Sequence, residues 1–286
     1  MRKFHAIIFL FFSIVAFSGA GAQSFYTASE IGIALGGSQY FGDLNDSYGF
    51  KTISPAGGIY LRRRMTSYIA IKIVANYTKV GYNDNLNSNI YEQERNLNFE
   101  SIIIETALQA EFNFFKFITG DPERRFTPFL TGGIGAFYYN PYTNYNGSRY
   151  YLRPLGTEGQ NAHYGGRNYS NIAACLPIGA GIKCWVKGGV NLTLEVADRL
   201  TNTDYLDDVS NTYVGINNFP QNSVAAALQN RTPSSDNSTL GEAGKQRGNT
   251  ASKDQYMLAL LSISWNFTTY RCPRLMSEDL IRVRSK

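Results

Sequence analysis

The chain is 286 residues long, with 27 Gly, 20 Tyr, 18 Phe, 17% charged residues and a formal net charge of +5. Setting aside Arg2 and Lys3 leaves about +3, too small a surplus to argue for a nucleic-acid partner. With three cysteines and two histidines, the composition excludes a disulfide framework and matches no metal-ligand spacing.

The first element is a leader. Arg2 and Lys3 precede an apolar run from Phe4 to Phe17, broken by His5 and Ser13, and Ala20-Gly21-Ala22 forms a small-x-small cleavage site before Gln23. Residues 1–22 are therefore expected to be a cleaved signal peptide, and Gln23 in place of a cysteine argues against a lipoprotein. After residue 22 no apolar run approaches the ~20 residues of a membrane helix, which excludes a helical inner-membrane protein.

Eight segments then read as strands by their period of two. Ile31, Ile33 and Leu35 mark the first, and the Gly-rich 55–62 the second. In the third, Ile69, Ile71, Ile73 and Ala75 oppose Lys72 and Asn76. The fourth, 101–114, is the clearest: Ile102, Ile104, Leu108, Ala110, Phe112 and Phe114 share one parity, Glu105, Gln109, Glu111 and Asn113 the other. The Gly-rich 128–139 is the fifth. Leu176, Ile178, Ala180, Ile182 and Val186 oppose Gly179, Gly181 and Lys183 in the sixth. Leu192, Leu194 and Val196 oppose Thr193, Glu195 and Arg199 in the seventh. Met257, Ala259, Leu261, Ile263, Trp265 and Phe267 form the apolar face of the eighth. Pro55, Pro128 and Pro177 are expected near strand starts, where a missing N–H is tolerated.

Short connections at 63–67, 115–127 and 187–190 alternate strictly with long ones at 38–54, 81–95, 140–170 and 201–254. Short periplasmic turns and long extracellular loops are the outer-membrane pattern. The expected fold is all-β: an eight-stranded antiparallel transmembrane β-barrel over residues 23–267, in the outer membrane of a Gram-negative bacterium. Both termini fall in the periplasm, and residues 268–286 form a periplasmic tail. The stretch 221–253, rich in Asn, Ser, Gly and Ala, is expected to be a flexible loop tip.

The same parity sends Glu30, Arg62, Lys72, Glu105, Glu111, Lys183, Glu195 and Arg199 into the lumen. An eight-stranded barrel is just wide enough for side chains to fill. Four acids against four bases therefore read as an ion-paired plug rather than an ion path. No catalytic residue and no cofactor is expected. His163, the one histidine beyond the leader, lies in a loop without a nearby aspartate. Asp204, Asp207 and Asp208 are weak metal candidates, because the spacing of a dedicated calcium loop is absent. Cys175 and Cys184 stand roughly 30 Å apart on one extended strand and should not pair; Cys272 is left over.

Charge is unevenly placed. The short turns and tail carry eleven bases against Asp121, Glu123, Glu278 and Asp279, while the long loops carry twelve acids and nine bases. A basic periplasmic end suits a partner there. The candidate contacts are Arg63, Arg64, Arg124, Arg125, Arg271 and Arg274, with Leu280, Ile281 and Val283 as the apolar side of a short tail helix.

Two loop segments carry a resemblance. Leu152-Arg153-Pro154-Leu155-Gly156-Thr157-Glu158-Gly159-Gln160 lies in the third long loop, and Thr203-Asp204-Tyr205-Leu206-Asp207-Asp208-Val209-Ser210 opens the fourth. With Tyr40-Phe41-Gly42-Asp43-Leu44 and Glu111-Phe112-Asn113-Phe114-Phe115, they resemble the PorG-like family of Bacteroidota outer-membrane barrels over nearly the whole mature chain. The resemblance implies a component of the type IX secretion system whose partners are the PorK/PorN-like periplasmic ring proteins. It implies no catalytic residue and no small-molecule substrate. The alternative is a small pore, or a surface barrel for ligand binding or adhesion.

Overall fold

The computed structural model describes residues 26–46, 49–161, 167–233 and 240–270. The leader, His163, Arg271, Cys272, Arg274, Leu280, Ile281 and Val283 lie outside the described residues. One compact unit runs from Ala28 to Phe267; the described residues of the other are the outer ends of the first and last strands.

Nine strands follow in chain order: β1 (Tyr26–Phe41), β2 (Ser54–Arg64), β3 (Ile69–Asn83), β4 (Asn98–Asn113), β5 (Phe126–Tyr145), β6 (Ser148–Tyr151), β7 (Ile172–Lys187), β8 (Val190–Thr201) and β9 (Gln255–Tyr270). Eight of them form a ring in the order β4-β3-β2-β1-β9-β8-β7-β5, and pairing of β4 with β5 closes it. β6 is a short hairpin arm on the far end of β5, outside the ring. The eight-stranded antiparallel barrel expected from the alternation is the fold. Several strands run past their expected ends: β1 reaches Phe41, and β5 continues to Tyr145 where its arm β6 folds back. The arm turns at Asn146 and Gly147, both at positive φ (49° and 78°), the left-handed pair a two-residue hairpin loop requires.

Parity decides the two faces. Ile33, Ile73, Ile104, Ile134, Leu194 and Leu261 all lie on the outer face and are exposed, while the alternate residues, among them Ala34, Val74, Glu105, Phe137, Thr193 and Leu260, are buried inside. Aromatics gather toward the two ends of this outer face. Tyr68, Phe112, Phe114, Phe115, Phe126, Trp265 and Phe267 ring the short-turn end; Phe50, Tyr77, Tyr138 and Tyr151 lie toward the long loops. An apolar belt between aromatic girdles is what a hydrocarbon surround requires. Among the described residues no helix is long and apolar enough to cross a membrane. Where β1 passes β9 the strands leave no room for a side chain: a Cβ on Gly36 would sit 1.9 Å from the Ala259 carbonyl oxygen.

One proline departs from expectation. Pro177 is the sixth residue of β7, not near its start. It pairs with Arg199 of β8, but the β5–β7 ladder skips from Gly132↔Ile178 to Gly135↔Cys175, so Pro177 sits in a gap where no donor is called on. Cys175 is buried in the interior, Cys184 is half-buried, and both are free thiols.

Candidate functional site

The lumen is filled. All eight charged side chains assigned inward by parity lie inside the barrel, buried, in two electrically neutral sets. Glu111 of β4 is the hub of the larger one. It accepts from Arg62 Nη2 at 3.0 Å and from Lys183 Nζ at 2.9 Å, with Lys72 Nζ at 3.3 Å. Arg62 Nη1 donates onward to Glu30 at 2.8 Å, and Lys72 donates to Glu195. Three acids and three bases thus cancel. In the second set Glu105 accepts from Arg199 Nε at 3.0 Å, Asn76 at 2.9 Å and the Tyr256 hydroxyl at 2.6 Å. Burying this much charge is tolerable only because the opposite charges touch and the spare lone pairs are used. The Tyr60 ring lies 4.8 Å from the Arg62 guanidinium and adds a cation–π contact. Among these side chains lies a void of about 20 Å³.

Both mouths are covered. At the short-turn end the 114–125 connection folds inward rather than out. Phe117 is buried, its N–H donates to the Ser67 carbonyl at 3.2 Å, and its ring lies 5.5 Å from Lys183 Nζ. Beside it Thr119 meets Asn191 and Asn266. Arg63, Arg64, Arg124 and Arg125 surround this mouth, Arg64 half-buried and the others exposed. Arg124 has Asp121 at 3.7 Å.

At the other end the four long loops form a packed cap over Leu44, Leu97, Phe99, Leu152, Leu206, Val209 and Leu228. The two loop motifs singled out in the sequence meet there. The helical turn Leu152–Leu155 stops at Gly156 in the left-handed conformation (φ 65°), which points Thr157 and Glu158 into the cap. Thr157 donates to the Asp208 carboxylate. Glu158 is fully buried and accepts from the backbone N–H of Ser210 (2.9 Å) and Asn211 (3.1 Å). Gln160 accepts from the Glu158 N–H at 2.9 Å. Tyr169 slides its ring between Tyr139 and Tyr205, at 6.2 and 4.5 Å between centroids, and donates to Asp208.

Two arginines knot the loops together. Arg247 Nη1 donates to Glu158 at 3.0 Å and to the Asp208 carbonyl at 2.7 Å. Arg95 grips Asp84 through Nε and Nη2, both at 2.8 Å, and reaches the carbonyls of Asp43 (2.9 Å) and Arg247 (2.8 Å). Burial pushes Asp204 and Asp208 up to about 6 and Asp43 up to about 7, against the donors that face them.

One expectation is corrected here. Residues 221–233 and 240–253 are not a free loop tip. A helix at Val224–Gln229 is capped by Ser223, Leu228 is buried in the cap, and Arg247 is its central tie. Counting polar residues missed this because one arginine and one leucine carry the packing. Apolar residues recurring in loops otherwise polar, Leu44, Leu97, Leu206, Val209 and Leu228, were the available signal. The weak metal candidates Asp204, Asp207 and Asp208 are all buried in the cap. Among the described residues no three such ligands converge. Asp204 Oδ2 accepts from Ser210, Asp207 from Tyr40 and Asp208 from Thr157 and Tyr169, while Asp204 Oδ1 has no hydrogen-bond partner among the described residues. Between the first, second and fourth loops the cap keeps one open cleft of about 580 Å³, with Asp43, Asp46, Tyr91, Glu92 and Lys253 on its walls.

The family described as "Domain of unknown function (DUF6089)" matches residues 2–221. No curated protein matches the sequence. Solved structures to which the chain is similar include the N-terminal β-barrel domain of Pseudomonas aeruginosa OprF (12% identity, 83% of this chain and 97% of that one, TM-score 0.35). Neisserial surface protein A is another (11%, 86% and 100%, TM-score 0.39), as is Ail, the attachment invasion locus protein of Yersinia pestis (9%, 85% and 98%, TM-score 0.38).

Proposed function

The chain belongs to the DUF6089 family, and on that premise we propose that it is a non-catalytic outer-membrane barrel that anchors or organises the periplasmic ring of the type IX secretion machinery. The filled lumen carries this reading. A barrel whose interior is cancelled charge around Glu111 and whose mouths are closed by Phe117 and the loop cap offers no conduit, so its work falls to its surfaces. The apolar belt and aromatic girdles support membrane insertion. The basic short-turn mouth, taken as periplasmic, supports docking of an acidic face there. The loop motifs add the resemblance that points to PorK/PorN-like ring proteins.

Crosslinking mass spectrometry on intact cells tests it. Lys116 and Lys187, both exposed at the short-turn end, should link to periplasmic ring subunits. A cysteine at Ser252 of the fourth loop, in a chain lacking Cys184 and Cys272, should react with an impermeant thiol reagent on whole cells, and one at Thr66 should not. Links confined to the long-loop end, or the reverse labelling, would overturn the reading. The cleft of about 580 Å³ in the cap favours a second one, a surface barrel that binds a ligand. Binding of a glycan or host protein, lost when the loops are deleted, would favour it.

A further inference from the structure

Tyr40, the residue before the last of β1, lies inside the cap, and its hydroxyl oxygen is 2.6 Å from Asp207 Oδ2 and 3.0 Å from Asp254 Oδ1. All three side chains are buried, none more than 1% exposed. The other oxygen of each carboxyl is already used: Asp207 Oδ1 accepts from the Val209 N–H at 2.9 Å and Asp254 Oδ2 from the Leu206 N–H at 2.8 Å. Gly42 closes the remaining side, since a Cβ there would sit 1.9 Å from Asp254 Oδ1 and 2.2 Å from the Tyr40 hydroxyl. Two oxygen–oxygen contacts at hydrogen-bond length need two hydrogens, and a tyrosine hydroxyl has one.

We infer that Asp207, Tyr40 and Asp254 form a buried proton-binding site: Tyr40 donates to one carboxylate, and the other carboxyl, protonated, donates to Tyr40. Without the extra proton, a hydroxyl lone pair would face a carboxylate in a dry interior, with a second carboxylate across the same oxygen. The surrounding charges do not relieve this. From the first loop comes Asp43, from the second Arg95 and Asp84, from the third Glu158, and from the fourth Asp204, Asp208, Lys253 and two arginines, Arg231 and Arg247, which line a small void with Asp207; Arg231 donates to Asn98, and Tyr139 of β5 faces Asp254. Arg95 is held by Asp84 and Arg247 by Glu158. Burial and the neighbouring carboxylates accordingly hold both aspartates well above the usual carboxylate range.

The site joins the end of β1 to both ends of the fourth long loop, near residue 207 and just before β9. Its proton is therefore a latch on the cap. Raising the pH strips it, leaves two charges around one hydroxyl, and releases the loop. Replacing one carboxyl by an amide satisfies the same geometry with no titrating proton. In Asp207→Asn the Nδ2 group donates to Tyr40, which donates to Asp254; in Asp254→Asn the roles reverse.

Infrared spectra of the full-length protein in lipid at about pH 7 should contain a protonated-carboxyl C=O band that each Asn variant loses. Hydrogen exchange should show residues 203–233 and 240–254 of the wild type losing protection as the pH rises above the ordinary carboxylate range and through the titration of this site, once corrected for the intrinsic rate, and either variant losing less. An unchanged band in both variants, or wild-type protection independent of pH, would overturn the assignment. Should one variant fail to fold, the band in the other decides, because each removes one of the two carboxyls that share the proton.

Discussion

Glu158 and Arg247, 89 residues apart in the chain, meet at 3.0 Å inside the loop cap, each almost wholly shielded from solvent. The contact ties the third long loop to the far side of the fourth. Because Arg247 also holds the Asp208 and Gln229 carbonyls, and its own carbonyl receives Arg95, it links three of the four loops. The cap is thus a second polar core, stacked on the one in the barrel.

Arg247→Ala should open the cap without unfolding the barrel. It leaves the Glu158 charge buried and unpaired, a loss of ~3–5 kcal/mol. That loss should appear as faster hydrogen exchange at 203–233 and 240–254, with β3 and β4 amides unchanged. Equal loss of protection in cap and barrel would mean that the two cores are one cooperative unit.

Glu111→Ala strikes the other core. Arg62, Lys72 and Lys183 would face only Glu30 and Glu195, a surplus of one buried charge, and the barrel should lose several kcal/mol. Urea unfolding in detergent, read by the gel shift between folded and heated barrel, measures it. Removing Lys183 as well restores neutrality, so Glu111→Ala with Lys183→Met should recover part of the loss. No recovery would indicate that Glu111 acts through packing rather than charge.

The outer face is tested by charge. Ile104→Arg and Leu194→Arg place a guanidinium in the apolar belt and should each cost ~2–4 kcal/mol of folding into lipid near the midplane. Refolding into bilayers of graded urea concentration reads this directly. Neutral outcomes at both positions would argue that this face meets water.

Asp208 gives the cap a second pH dependence at lower pH. Burial raises its carboxyl from 3.8 to about 6, against the pull of Arg247 and the Thr157 and Tyr169 hydroxyls. Asp208 then holds its proton more tightly in the folded cap than in the unfolded chain between about pH 4 and 6, so its own contribution to stability falls as pH rises through that window and levels above it. Asp208→Asn should flatten that slope. Asparagine keeps the left-handed backbone that residue 208 adopts (φ 66°), so the change removes the proton and not the turn. Cap exchange rates at several pH values compare the two; parallel slopes would assign the dependence to another group.

Strand identity, face and lumen charge were all legible in the amino-acid order, because a strand's period of two is local: once Ile104 faces out, Glu105 must face in. Connection lengths were legible for the same reason, each being the distance between neighbouring periodic segments. The partners were not. Parity places Arg62 and Glu111 in the lumen, but only the register of β2 on β3 on β4 makes Glu111 the hub and leaves Glu105 to Arg199. The cap was hidden for a stronger reason. Its residues lie outside any period, so Arg247, Arg95, Tyr40 and Asp254 meet only when the closed barrel brings four loops to one rim, and burial there turns ordinary loop polar groups into a core that must satisfy itself.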